Sequence, residues 1–200
     1  EFVDGTLATF DGMTDQNGNI PYHISHFSDT GVFEVVTQNT DLSYYSLREV
    51  PKDLEDAGMK SVKAFGVKEK FFHIEFLRQK SDGKLVAMEI NMRPPGGYTT
   101  DMMNFADDID VYHEWSNIIL NNRFEANIER KFHCAHIARK HGKQYRLSHE
   151  EVLNRFRDNL MMISEVSQIF SPVMGNYVYM VRSRNLDEIK RIIGEIQEQA

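Results

Sequence analysis

Residues 71–97 read FFHIEFLRQKSDGKLVAMEINMRPPGG, two strand-like runs around a Ser-Asp-Gly turn, followed by a loop of prolines and glycines. Residues two apart on a strand share a face, so Glu89 and Asn91 point one way and their apolar neighbours point the other way. The segment therefore predicts a β-hairpin with one polar and one apolar face.

The length of the turn decides which residues face each other across this hairpin. A three-residue loop, Ser81 to Gly83, places Glu75 directly opposite Glu89, whereas a two-residue Asp-Gly turn puts the two glutamates on opposite faces. Opposed carboxylates repel each other, and a divalent cation relieves the repulsion. Carboxylate and amide oxygens suit Mg²⁺ or Mn²⁺, so Glu75, Glu89 and Asn91 are candidate metal ligands. The alternative is a solvated edge hairpin with ordinary surface glutamates.

Two further polar residues accompany the carboxylates. Arg93 directly precedes the Pro-Pro-Gly-Gly loop (94–97), where small residues let the backbone approach a ligand closely. An arginine at this place is suited to grip an anion, and a plain surface arginine is the alternative. His73 shares a face with Glu75 and is a candidate for supporting it, the alternative being packing beside Phe71.

Taken together, Phe-His-Ile-Glu-Phe (72–76), Glu-Ile-Asn-Met-Arg-Pro-Pro-Gly-Gly (89–97) and Asp-Ile-Asp (108–110) resemble the ATP-grasp superfamily, on its carboxylate ligase and biotin carboxylase side. The resemblance implies an α+β fold. Residues 1–122 would form the C-terminal half of an ATP-grasp domain, a mostly antiparallel sheet with flanking helices. Residues 123–200 would form a small C-terminal α/β lobe.

The resemblance also implies roles for individual residues. Glu75, Glu89 and Asn91 inherit the part of holding Mg²⁺ ions that bridge the ATP phosphates, and Arg93 that of holding the reacting carboxylate or acyl phosphate. The resemblance also implies that ATP is contacted by an interlobe hinge, Glu1, Phe2 and Val3, and by Leu77 near the adenine. It implies that Gly96 and Gly97 contact the substrate. Plain core packing is the alternative for Leu77.

The activity implied by the resemblance is ATP-dependent ligation, in which a carboxylate becomes an acyl phosphate that an amine or another nucleophile attacks. Bicarbonate activation of the biotin carboxylase kind, a non-catalytic domain of the same fold and an unrelated Mg²⁺-dependent phosphohydrolase are the alternatives. The chain opens on strand-like sequence and has no glycine-rich phosphate loop. We therefore expect an upstream portion that covers the phosphates, and we expect the 200 residues alone to be inactive.

Composition narrows the class of protein further. The 23 basic and 30 acidic residues give a net charge of −7, which argues against nucleic-acid binding. No apolar run approaches the ~20 residues of a membrane-spanning helix. One cysteine and no recognisable signal peptide favour a reducing cytoplasm. A homodimer is left open.

Local patterns predict the remaining elements. Asn-Gly at 17–18 indicates a hairpin, and residues 31–36 read as a strand. Helices are predicted over 51–65, near 99–106 and 109–120, after a capping box at Ser148, and from about Asn185.

Overall fold

Nine strands and seven helices make up the computed structural model over the residues it describes, 3–28 and 31–200. The strands are β1 (Gly5–Met13), β2 (Tyr22–Ile24), β3 (His26–Ser28), β4 (Ser43–Ser46), β5 (Phe71–Gln79), β6 (Leu85–Asn91), β7 (His133–Arg139), β8 (Leu160–Glu165) and β9 (Tyr177–Ser183). The helices are α1 (Val32–Thr37), α2 (Lys52–Ala64), α3 (Thr99–Asp107), α4 (Val111–Asn121), α5 (His149–Arg155), α6 (Ser171–Met174) and α7 (Leu186–Gln197).

All the strands join one sheet, in the order β6-β5-β1-β3-β4-β7-β9-β8, with β2 also paired to β1. Every pairing is antiparallel. The predicted fold class, a mostly antiparallel sheet with flanking helices, is therefore confirmed. The sheet continues past residue 122 because β4 pairs with β7, and a division of the chain at 122 stays a prediction. No helix in the described part of the chain has the length and apolar character needed to cross a membrane.

The two faces of the sheet are covered by different helices. On one face, α2 packs its Leu54 against Phe10 and Phe72 of the central strands. A Cβ built on Gly58 of α2 would lie 2.2 Å from the Phe10 ring, so only glycine permits this close approach. On the opposite face, α3 covers the end of β1 and β5 near Met13. The polar residues of β1 and β5 lie on this second face, beyond that end.

Most of the elements predicted from sequence are present. The predicted helices correspond to α2, α3, α4, α5 and α7, and the capping box at Ser148 forms with Glu151. The hairpin around 17–18 is also present, because β1 pairs with β2. The prediction of a strand at 31–36 is wrong, since Val32–Thr37 is helical. Val35 packs with Leu42 and Ala138, and this packing outweighs the strand preference of a β-branched run.

His136 of β7 is fully buried on the face that α3 covers. Its ring stacks on Tyr44 at 4.6 Å and lies 6.4 Å from the ring of Tyr98. Neither ring nitrogen has a hydrogen-bond partner in the described part of the chain. Burial lowers the pKa of His136 from 6.5 to about 4, so the folded protein holds this imidazole neutral.

This buried histidine predicts a loss of stability in mild acid. As the pH falls below 6.5, the ordinary pKa of histidine, His136 becomes protonated in the unfolded chain. In the folded chain it stays neutral until about pH 4, so protonation favours the unfolded state between these values. The free energy of unfolding should therefore fall by about 2 kcal/mol more in the wild type than in His136→Phe between pH 7 and pH 5. Urea unfolding at the two pH values measures this difference. Equal pH dependence in the two proteins would contradict the expectation.

Candidate active site

The hairpin of β5 and β6 lies at one edge of the sheet and places its carboxylates as predicted. Glu75 pairs directly with Glu89, and His73 pairs with Asn91. The predicted three-residue loop is wrong, because Gln79 N donates to Lys84 O across a loop of four residues. A β-bulge between Glu75 and Phe76 shifts the register by one and restores the opposition of the two glutamates.

His73 connects this hairpin to the next strand, β1. Its Nε2 donates to Glu75 Oε1 at 3.0 Å and its Nδ1 donates to Asp11 Oδ1 at 2.5 Å. Burial alone would lower the pKa of His73, but the hydrogen bonds and negative charges of the two carboxylates outweigh it and raise the pKa to about 9. Because a cationic imidazole donates from both nitrogens, His73 can hold both carboxylates at once.

Asp11 is the centre of a buried polar group. Its side chain is fully buried and also accepts from Nδ1 of His26 at 2.7 Å and from the hydroxyl of Thr9. Burial opposes the ionised form, but the hydrogen bonds and charges of His26 and His73 prevail and lower the pKa of Asp11 to about 2. The carboxylate is therefore ionised and fully engaged. We refer to Thr9, Asp11, His26 and His73 as the Asp11 cluster.

A cavity of about 270 Å³ lies against the Asp11 cluster and Glu75. Its other walls come from β1, β3, β4 and the residue before β4, from the loop that follows the hairpin, and from the short helix α6. Gly96 and Gly97, the predicted substrate-binding glycines, line this cavity. Gly97 has a φ of +63°, and a Cβ built there would lie 2.5 Å from Cε of Met174. The loop and α6 thus pack together through a position that favours glycine.

The other predicted site residues lie outside this cavity. Arg93 is exposed, and its Nη1 donates to the carbonyl of Pro94 at 2.9 Å. Leu77 is partly buried opposite Leu7, which does line the cavity. Val3 is partly buried just before β1. The predicted ATP contacts Glu1 and Phe2 lie outside the described residues.

The proposed metal ligands have the chemistry that a hard divalent cation requires. Within residues 3–28 and 31–200, no three His, Cys, Asp or Glu side chains are grouped as a metal centre. The predicted set instead combines two opposed carboxylates with the amide of Asn91, whose buried Nδ2 has no partner among these residues. Oxygen ligands of this kind fit Mg²⁺ or Mn²⁺.

The site residues predicted from sequence did not include Asp11 and His26. The available signal was alternation, since the polar Thr9 and Asp11 interleave with the apolar Ala8 and Phe10 on β1. That pattern indicates a polar face but not which strand lies beside it.

Comparisons with known proteins support the fold. No protein-family model matches the chain, and no curated protein matches it either. Among solved structures, phosphoribosylglycinamide synthetase from Anaerococcus prevotii superposes with a TM-score of 0.68 at 11% identity, over 98% of this chain and 52% of its own. The ATPase subunit of phosphoribosylaminoimidazole carboxylase from Aquifex aeolicus superposes with a TM-score of 0.66 at 16% identity, over 98% of this chain and 59% of its own.

A third solved structure is the biotin carboxylase domain of 2-oxoglutarate carboxylase from Hydrogenobacter thermophilus, described as a complex with MgADP, ADP and bicarbonate. Its TM-score is 0.63 at 13% identity, over 100% of this chain and 47% of that one. The chain thus spans about half the length of each of these three solved structures. These likenesses establish that the chain has an ATP-grasp fold, so the resemblance predicted from sequence is confirmed at the level of the fold.

Proposed function

We propose that this chain belongs to an ATP-dependent ligase that activates a carboxylate as an acyl phosphate for attack by an amine or another nucleophile. The observation that carries the proposal is the direct opposition of Glu75 and Glu89 on a hairpin of an ATP-grasp fold. Opposed carboxylates destabilise a sheet, and the His73 imidazolium offsets the charge of Glu75 only, so the exposed Glu89 facing it is best explained by a metal-dependent task. The ATP-grasp likenesses support the nucleotide.

Each residue of the site has a definite task in this reaction. Glu75, Glu89 and Asn91 would hold Mg²⁺, which when bound neutralises phosphate charge. The Asp11 cluster fixes Glu75 through His73, so that this carboxylate is oriented before substrates arrive. Arg93 is exposed and donates one hydrogen bond, to the carbonyl of Pro94. Its remaining guanidinium N–H groups can therefore bind an anion.

The chemistry needs no nucleophile from the protein. A carboxylate oxygen attacks the γ-phosphorus of ATP, and the bond to the β,γ-bridging oxygen breaks to release ADP. The nucleophile then attacks the acyl carbon and loses its proton, and inorganic phosphate leaves with the bonding electrons. Positioning and charge neutralisation dominate phosphoryl transfer, and the site residues are suited to both tasks.

Bicarbonate activation is the second candidate, because one structural neighbour was solved with bicarbonate. The cavity next to Glu75 argues against it, since about 270 Å³ bounded partly by apolar side chains is far more space than a bicarbonate ion needs. We therefore favour a larger carboxylate.

The proposal is tested by following ADP release from the complete protein with Mg²⁺, ATP and a panel of carboxylates, with hydroxylamine present to trap an acyl phosphate as its hydroxamate. We expect ADP release to depend on an organic carboxylate and a hydroxamate to form in equal amount. Release supported by bicarbonate alone would favour the carboxylase. ATP cleavage at full rate without any acceptor would favour a phosphohydrolase, and absence of nucleotide binding would favour a non-catalytic domain.

A further inference from the structure

The cavity beside Glu75 has two chemically different parts. One part consists of the Asp11 cluster and Glu75 on the sheet. The other part is largely apolar and comes from several segments of the chain: Leu7, Phe27, Leu42, Tyr44, Pro95, Val173 and Met174. No lysine or arginine lines it among the described residues. An occupant therefore meets one group of polar side chains and, over the rest of the lining, mainly hydrocarbon.

Most of the polar atoms of the Asp11 cluster already have partners within the protein, and the exception among the described residues is the buried Nε2 of His26. Asp11 accepts from His26, His73 and Thr9, and His73 also donates to Glu75. The hydroxyl of Thr99, at the rim, donates to the carbonyl of Gly96 at 2.8 Å. A second charge on an occupant would thus find no counter-ion in the apolar part, and burying an unpaired charge is costly.

The position of the cavity relative to the carboxylates indicates which substrate occupies it. The sheet order places β6, with Glu89 and Asn91, on one side of Glu75 and the cavity-lining strands β1, β3 and β4 on the other. A carboxylate that reacts beside Glu75 can therefore extend the rest of its structure into the cavity. The volume of about 270 Å³ lies below the roughly 300–1,000 Å³ of typical ligand sites, which suits a short acid rather than a whole nucleotide.

From these observations, and resting on the proposed function, we propose that this cavity binds the uncharged apolar group of the carboxylate substrate. The substrate class is a short carboxylic acid with an aliphatic or aromatic group and no second charge. The apolar walls select this class over dicarboxylates and over acids that carry an ammonium group.

The selectivity is tested on the complete protein with four probe acids: 3-phenylpropionate, 4-methylpentanoate, glutarate and 5-aminopentanoate. ADP release gives kcat/KM for each acid. We expect the two apolar acids to exceed the two charged ones by about 100-fold. Glutarate or 5-aminopentanoate performing as well as 3-phenylpropionate would overturn the inference while leaving the ligase proposal intact.

A charge placed in the apolar wall tests the location. Val173 lies on α6 and lines the cavity, whereas Ile169 lies just before α6, is 82% exposed and does not line it. We expect Val173→Arg to lower kcat/KM for 3-phenylpropionate by about 10-fold or more and to improve the use of glutarate. Ile169→Arg should leave kcat/KM unchanged for 3-phenylpropionate and for glutarate. Melting curves of the two variants check that they are folded. An unchanged preference in a folded Val173→Arg would overturn the inference.

Binding separates failure of this inference from failure of the proposed function. Calorimetry with 3-phenylpropionate, in the presence of Mn²⁺ and ADP, needs no turnover. Binding that is lost in Val173→Arg and kept in Ile169→Arg supports the cavity assignment even if no acid releases ADP. A failure of every acid to release ADP would contradict only the ligase proposal. Absence of binding in the wild type would overturn the cavity assignment.

Discussion

Replacing Glu89 by glutamine is expected to weaken Mn²⁺ binding to the complete protein in the presence of ADP by more than about 100-fold, since the loss of even an indirect supporting partner costs a metal site 10–100-fold. The change keeps the size of the side chain and removes one of two carboxylates that face each other across β5 and β6. Glu89 is exposed at a sheet edge, so its replacement should leave the fold intact. Titration with Mn²⁺ followed by its paramagnetic signal gives both dissociation constants.

A matched control comes from the other edge of the same sheet. Glu165 is exposed on the edge strand β8, so Glu165→Gln removes an equal charge from a similar environment far along the strand order. We expect this variant to bind Mn²⁺ as the wild type does. Equal binding in the Glu89 variant and the wild type would remove Glu89 from the metal site. No nucleotide-dependent binding in any of the three proteins would make the non-catalytic alternative the leading one.

The sequence predicts the opposition of Glu75 and Glu89 only for a three-residue loop; the opposition is present, but the loop is one residue longer. A four-residue loop alone would have set Glu75 against Met88. The bulge adds one residue on β6 and reverses that shift. Turn residues predict that a hairpin forms, whereas a bulge depends on twist and neighbouring strands, which local sequence does not reveal.

The contacts within the Asp11 cluster are a second feature that the sequence alone does not predict. Alternation indicates which face of β1 carries Asp11, but His73 lies 62 residues away and reaches it only because β5 pairs with β1. His26 reaches it because β3 pairs with the other edge of β1. Pairings of this kind are set by the packing of the whole sheet. The strands β4 and β8, both weakly patterned, were missed for the same reason.

The Asp11 cluster gives the last prediction, that Asp11→Ala lowers the free energy of unfolding by about 3–5 kcal/mol, the usual cost of removing one member of a buried ionic pair. The substitution leaves a void and takes the common acceptor away from His26 and His73, both of which are largely buried. Asp11→Asn keeps the volume and one acceptor oxygen, so it should cost less. Urea unfolding at pH 7 measures all three proteins.

An exposed carboxylate provides the comparison for this prediction. Asp53 pairs with Arg78 at 2.6 Å, but its side chain is 55% exposed, so Asp53→Ala should cost at most about 1 kcal/mol. If Asp11→Ala cost no more than Asp53→Ala, the buried hydrogen bonds would not hold the site together. A large loss of stability in Asp11→Ala, with a smaller loss in Asp11→Asn, would instead show that the cluster that orients Glu75 also stabilises the sheet. The face that carries the proposed chemistry would then also be a main source of the stability of the fold.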